Sequence, residues 1–146
     1  MTRQPTPLEK RVVAAQLLLD EWRDRPFSWK KGVTCVRLTA AHLRRMGYVP
    51  PLAKAGRFAS ALGARRALER AGFASLSDAL DSMGLERIAP ASAIVGDIIE
   101  LPGEAPFNAL TVAMGNGRVL GFHQDMEGAA VLQPSDYIGA WRVEPS

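Results

Sequence analysis

Apolar and polar positions follow two different periods along this chain, and the change falls near residue 86. Ahead of it the apolar residues recur every three or four positions, as on one face of a helix. Beyond it they alternate or run together in short stretches, as in strands. Thr6-Pro7-Leu8-Glu9 reads as a capping box with proline at the first helical position. Leu8, Val12, Ala15, Leu18, Leu19 and Trp22 then make one apolar stripe of a helix ending near Asp24, where Arg25-Pro26 breaks it. Thr34 is a good N-cap for a second helix; Val36, Leu38, Thr39, Ala40, Leu43 and Met46 recur along it, and Gly47 offers the left-handed stop. Gly47 to Pro51 is a connector that cannot be helical throughout. A third helix is expected over Ala61 to Ala71, closed by Gly72, and a short fourth over Ser75 to Met83, closed by Gly84.

The second half reads as strands over Ile94 to Leu101, Ala109 to Met114 and Arg118 to His123, with shorter ones over Ala129 to Leu132 and Gly139 to Val143. Asn116-Gly117 between the second and third is the two-residue signature of a type I′ hairpin. Helices first and antiparallel strands afterwards predict an α+β fold, N-terminal helices packed on one face of a C-terminal antiparallel sheet. With 146 residues and no internal repeat or low-complexity tract, residues 1–146 are expected to form a single domain.

Composition narrows the function classes. No apolar run approaches the roughly 18 residues needed to span a bilayer, so no membrane span is expected. One cysteine leaves neither an internal disulfide nor a cysteine-rich zinc site, and the expected place of synthesis is the cytoplasm. No Gly-rich phosphate loop, paired-carboxylate constellation or metal-spacing motif appears, so neither cofactor nor metal is expected. The net charge of +3 hides a polarity: residues 1–72 hold 15 Lys and Arg against 5 Asp and Glu, whereas residues 73–146 hold 3 against 10. Such a split suits an acidic partner surface, nucleic acid or head-to-tail assembly, and also plain solvated helix faces. Arg44, Arg45, Arg57, Arg65, Arg66 and Arg70 could cluster on one side. No nucleic-acid motif accompanies them and aromatic interleaving is sparse, so a specific DNA reader is not expected.

The candidate chemistry sits in Pro26-Phe27-Ser28-Trp29-Lys30-Lys31-Gly32-Val33-Thr34-Cys35. Cys35 is the first residue inside the second helix, at the positive end of its dipole, where thiolate is favoured over thiol. The bland alternative is a small buried apolar residue. Phe27 and Trp29 are expected to pack over the start of the cysteine helix as core.

The order of these features resembles the NlpC-type papain-like superfamily of cell-wall peptidases, and more closely a short branch from proteobacterial genomes, prophages and phage-like particles. The residues that carry the resemblance are Phe27 to Cys35, Gly63 to Gly72, Gly96 to Ile99 and Ala140-Trp141-Arg142-Val143. It implies a papain-like fold, Cys35 as candidate nucleophile, peptidoglycan stem peptides as substrate class, and tail or assembly proteins as partners in a phage-like particle. It also makes Asp97 part of a structural Gly-Asp turn, outside the chemistry.

The sequence departs from the pattern at decisive places. Thr34 stands where Asp is usual, and the segment before Cys35 is one residue longer. The position of the superfamily's catalytic histidine falls on Ala109, with Asn108 beside it, and the third, orienting position falls near Gly121. His42 is seven residues along the same helix, roughly 10.5 Å up the axis, out of reach of Cys35. His123, on the return strand of the hairpin, is the remaining weak candidate base. With a plain two-residue turn it opposes Leu110; a one-residue bulge exchanges the faces. Three readings stand: a non-catalytic structural or adaptor domain of a phage-like tail, an active cysteine peptidase or amidase using Cys35 with His123, and a basic protein binding nucleic acid or another polyanion.

Overall fold

The computed structural model describes residues 3–51, 59–103, 107–123 and 126–145. Among these residues four helices come first, α1 (Pro7–Trp22), α2 (Cys35–Arg45), α3 (Ala61–Arg70) and α4 (Leu76–Asp81). Six strands follow, β1 (Glu86–Ile88), β2 (Ile98–Leu101), β3 (Ala109–Gly115), β4 (Arg118–Gly121), β5 (Ala130–Leu132) and β6 (Gly139–Arg142). They form one antiparallel sheet in the order β1-β6-β2-β3-β4-β5. The α+β layout with helices on one sheet face is therefore present.

Each helix starts on a hydroxyl that accepts an orphan backbone N–H three residues on: Thr6 from Glu9, Thr34 from Arg37, Ser60 from Gly63 and Ser75 from Asp78. Asn116 and Gly117, at φ 56° and 76°, make the hairpin turn with both central residues left-handed, as a type I′ turn requires. The ladder slips by one residue between Ala113 and Gly115, so Ala113 faces Val119 and Val112 faces Leu120. This is the bulged alternative.

Alternation along β3 divides the core. Leu110 packs with Ala14, Leu43 and Leu80 beneath the helices, and Val112 with Leu18 and Leu38. Ala113 joins Ile99, Val119 and Ala140 on the opposite face.

Three expectations are corrected. The buried face of α1 shares only Ala15, Leu18 and Trp22 with the expected stripe. Leu8 and Val12 are 57% and 50% exposed, while Arg11, Ala14, Ala15, Leu18 and Trp22 are buried. The cause is Arg11, whose guanidinium is drawn inward to the buried Asp97 carboxylate at 2.9 Å. The strand expected over Ile94 to Leu101 begins only at Ile98, because Gly96, at φ 90°, turns the chain. Ahead of it lie the short edge strand β1 and a 3-10 turn at Pro90–Ser92. Finally, β4 stops at Gly121, short of His123.

Candidate functional site

The loop before Cys35 closes on itself: Ser28 and Val33 exchange backbone hydrogen bonds of 2.8 and 2.9 Å, with Gly32 at φ 72° between them. This small hairpin delivers Thr34, 1% exposed, to the N-cap position, so Cys35 opens α2 as expected. Phe27 and Trp29 pack on each other and against aromatics at the ends of the strands. Phe27 meets Trp29 and Phe122 edge to face at 5.6 and 5.4 Å, and Trp29 lies 6.2 Å from Phe107. Phe27 keeps 45% of its surface, so it is not core.

Cys35 is partly buried and packs beside the cluster that holds Leu110, so the helix mouth faces β3. Burial of the thiol pushes its pKa above the ordinary value. Backbone N–H groups of Leu110, Val36 and Cys35 itself oppose that rise without reversing it. A raised pKa keeps the sulfur protonated at neutral pH, against the expectation from helix position alone. Desolvation outweighs those backbone bonds.

On the strand, Ala109 alternates with Leu110 and so points to the sheet face away from α2. Asn108 is the neighbour that reaches the helix side, and its amide is directed at Glu100, Nδ2 to Oε2 3.4 Å. Glu100 is 4% exposed and also accepts from the Ser77 hydroxyl of α4, at 2.8 and 3.0 Å. The sequence carries one signal for this Ser77–Glu100–Asn108 network. Glu100 is the one charge in Ile98-Ile99-Glu100-Leu101, and period two sets it on the same face as Ile98.

The two histidines part company. His123 is exposed beyond the end of β4; continuing the bulged register would set it opposite Ala109, on the side of the strand that does not carry Cys35's neighbours. His42 is completely buried, its Nε2 donating to the Gly96 carbonyl at 2.8 Å, while its Nδ1 has no partner among the described residues. Burial lowers its pKa, Arg45 and Arg11 push the same way, and it stays neutral.

Asp97 is a structural hub. Its Oδ1 accepts from Arg11 and the Val143 N–H, both at 2.9 Å; its Oδ2 accepts from Arg142 at 3.0 Å and the Ile94 N–H at 2.9 Å. These bonds tie α1 and the C-terminal end of β6 to the turn before β2. An apolar cavity of about 40 Å³ lies beside Leu110, between Val36, Thr39 and Leu43 of α2 and Leu76 and Leu80 of α4. Among the described residues no group of three or more His, Cys, Asp or Glu side chains could hold a metal ion. None of their helices is long and apolar enough to cross a membrane. Of the arginines expected to cluster, Arg45 pairs with Glu21 and Arg65 with Glu69, and Arg57 lies outside the described residues.

No curated protein matches the chain. A family model described as a domain of unknown function, DUF6950, covers residues 8–143, and by that match the chain belongs to the DUF6950 family.

Proposed function

We propose that this chain is a non-catalytic NlpC-like, papain-like domain that serves as a structural or adaptor component of a phage or phage-like tail. The carrying observation is the strand opposite Cys35: the two positions where a base would be expected hold Asn108, directed at Glu100, and Ala109, on the other face of the sheet. A nucleophilic cysteine needs a base within about 3 Å and a third group orienting that base. Here Asn108 is directed at a carboxylate, Ala109 carries a methyl group to the other face, and His123 lies exposed beyond the end of β4. The tail context rests on the resemblance of Phe27 to Cys35 and the three later stretches.

The active peptidase is the competing reading. It is favoured by the cap of Thr34, which fixes Cys35 at the start of a helix beside a strand. A peptidoglycan digest comparing the parent with Cys35→Ala decides between them. The proposal expects the two to release equal amounts of product, or none. Product from the parent that disappears in the variant would overturn it. Iodoacetamide labelling over a pH series gives a second readout: half-maximal reactivity should lie above the ordinary thiol value near 8.5, and a plateau below neutrality would restore the enzyme.

A further inference from the structure

We propose that copies of this chain associate head to tail, the Asp136-Tyr137-Ile138 turn of one copy seated in the groove between α1 and the end of α2 of the next. The inference rests on surfaces and not on the fate of Cys35, so it can stand or fall separately from the tail reading.

The groove has a volume of about 290 Å³ and is floored by Val13, Ala14, Leu17 and Met46. Val13 and Leu17 are 57% and 49% exposed, an apolar strip on a surface helix that no other described element covers. Lys10 and Arg45 stand on its rim, Arg45 already paired with Glu21. Lys10 forms no ion pair with a described residue, and the rim carboxylate of Glu9 is already taken by Arg3 at 2.7 Å. An occupant should therefore bring two apolar side chains and a carboxylate.

The turn before β6 supplies that set. Tyr137 and Ile138 are 40% and 54% exposed, next to an exposed Asp136 that pairs with no described cation. The turn is already ordered: Ile138 donates its N–H to the Glu100 carbonyl at 2.9 Å, and the Tyr137 hydroxyl donates to the Pro134 carbonyl at 3.3 Å. Presenting it to a partner costs little further ordering, and a tyrosine anchor is favoured at interfaces. The polarity of the chain points the same way, 15 cations against 5 anions before residue 73 and 3 against 10 after it.

The two surfaces lie on opposite faces of the molecule. The groove belongs to the helical layer, whereas Tyr137 lines a hollow over Ile99 and Ala113 on the other side of the sheet. Such a contact is heterologous and propagates; it does not close as a two-fold dimer.

Sedimentation of the full chain between about 10 µM and about 1 mM should show mass rising past the dimer with concentration, consistent with a weak contact. Salt near 0.5 M should push it back toward monomer, because exposed charges are then screened. Val13→Asp and Ile138→Asp alter exposed side chains, and circular dichroism should show both folded. Each alone should be monomeric. Mixed one to one, each still offers one intact surface, so the mixture should stop at a dimer. A parent that stays monomeric, a parent that stops at a dimer, or a mixture with no dimer would overturn the inference.

Discussion

Replacing Asp97 by Asn removes one charge from the centre of the molecule with almost no change of shape. The carboxylate is completely buried and accepts four bonds, two on each oxygen. An asparagine keeps one of those oxygens. Its NH₂ group must then face two N–H donors, either Arg11 and Val143 or Arg142 and Ile94. The second arrangement is milder, because Arg142 is partly exposed and keeps its bond to the Ser92 carbonyl at 2.8 Å. Arg11 is the larger problem: its side chain is 3% exposed, and without Asp97 its nearest anion is Glu144 at 3.5 Å. Breaking a buried pair by removing one partner costs about 3–5 kcal/mol. The lower end, about 3 kcal/mol, is expected here because Glu144 and the exposed edge of Arg142 recover part of the loss. That is a large share of the roughly 5–15 kcal/mol by which a domain is stable. Urea unfolding followed by the fluorescence of the three tryptophans would measure it, with the m-value unchanged if the native state stays compact. A loss below about 1 kcal/mol, the worth of an ordinary hydrogen bond, would refute the reasoning and show that the Asp97 site is open to water.

Other perturbations test neighbouring parts. His42 is held neutral in the fold by burial, so its pKa lies below the unfolded value near 6.5. Its contribution is then full above about pH 6.5 and is lost as pH falls below it, because the unfolded chain binds the proton more readily. Denaturant midpoints between pH 7 and pH 5 should fall in the parent and fall less in His42→Gln; equal slopes would count against a neutral buried imidazole. Thr34→Ala should cost about 1 kcal/mol through loss of the cap on the Arg37 N–H, read in the same urea experiment, with Thr34→Ser restoring most of it. Gly128→Ala would set a methyl group 2.6 Å from the backbone of Asp24, where α1 ends and Asp24 and Ala129 share a 2.9 Å hydrogen bond. A loss of about 1–3 kcal/mol in thermal or urea unfolding is expected, and a neutral result would mean that this contact yields easily.

What could be read from the sequence was what neighbouring residues decide among themselves. The Thr6, Thr34 and Ser75 caps and the Asn116-Gly117 turn each need only three or four adjacent residues, and each forms where expected. Cys35 at the mouth of α2 follows from the Thr34 cap in the same way. Two of the differences involve partners far along the chain. Strand β1 exists because Glu86, Arg87 and Ile88 pair with Arg142, Trp141 and Ala140, and nothing in a three-residue stretch announces that partner. The face of α1 differs from its apolar spacing because that spacing treats Arg11 as a surface residue, whereas a buried carboxylate 86 positions away makes the inside its better place.

The same cause decides how the candidate site should be judged. Position within a helix favours the Cys35 thiolate, and that local term is real. What governs the sulfur is the protein packed around it after folding, which desolvates it, and the strand across from it, whose near side chain is directed at Glu100. A catalytic cysteine needs the local and the distant terms to agree. Here they oppose each other: the loop and cap hold a nucleophile's position, while on the strand across from it Asn108 is directed at Glu100 and Ala109 carries only a methyl group. A polypeptide can retain such a scaffold for its shape, since the Ser28–Val33 hairpin, the Thr34 cap and the packing on β3 order this end of the molecule whether or not the sulfur reacts.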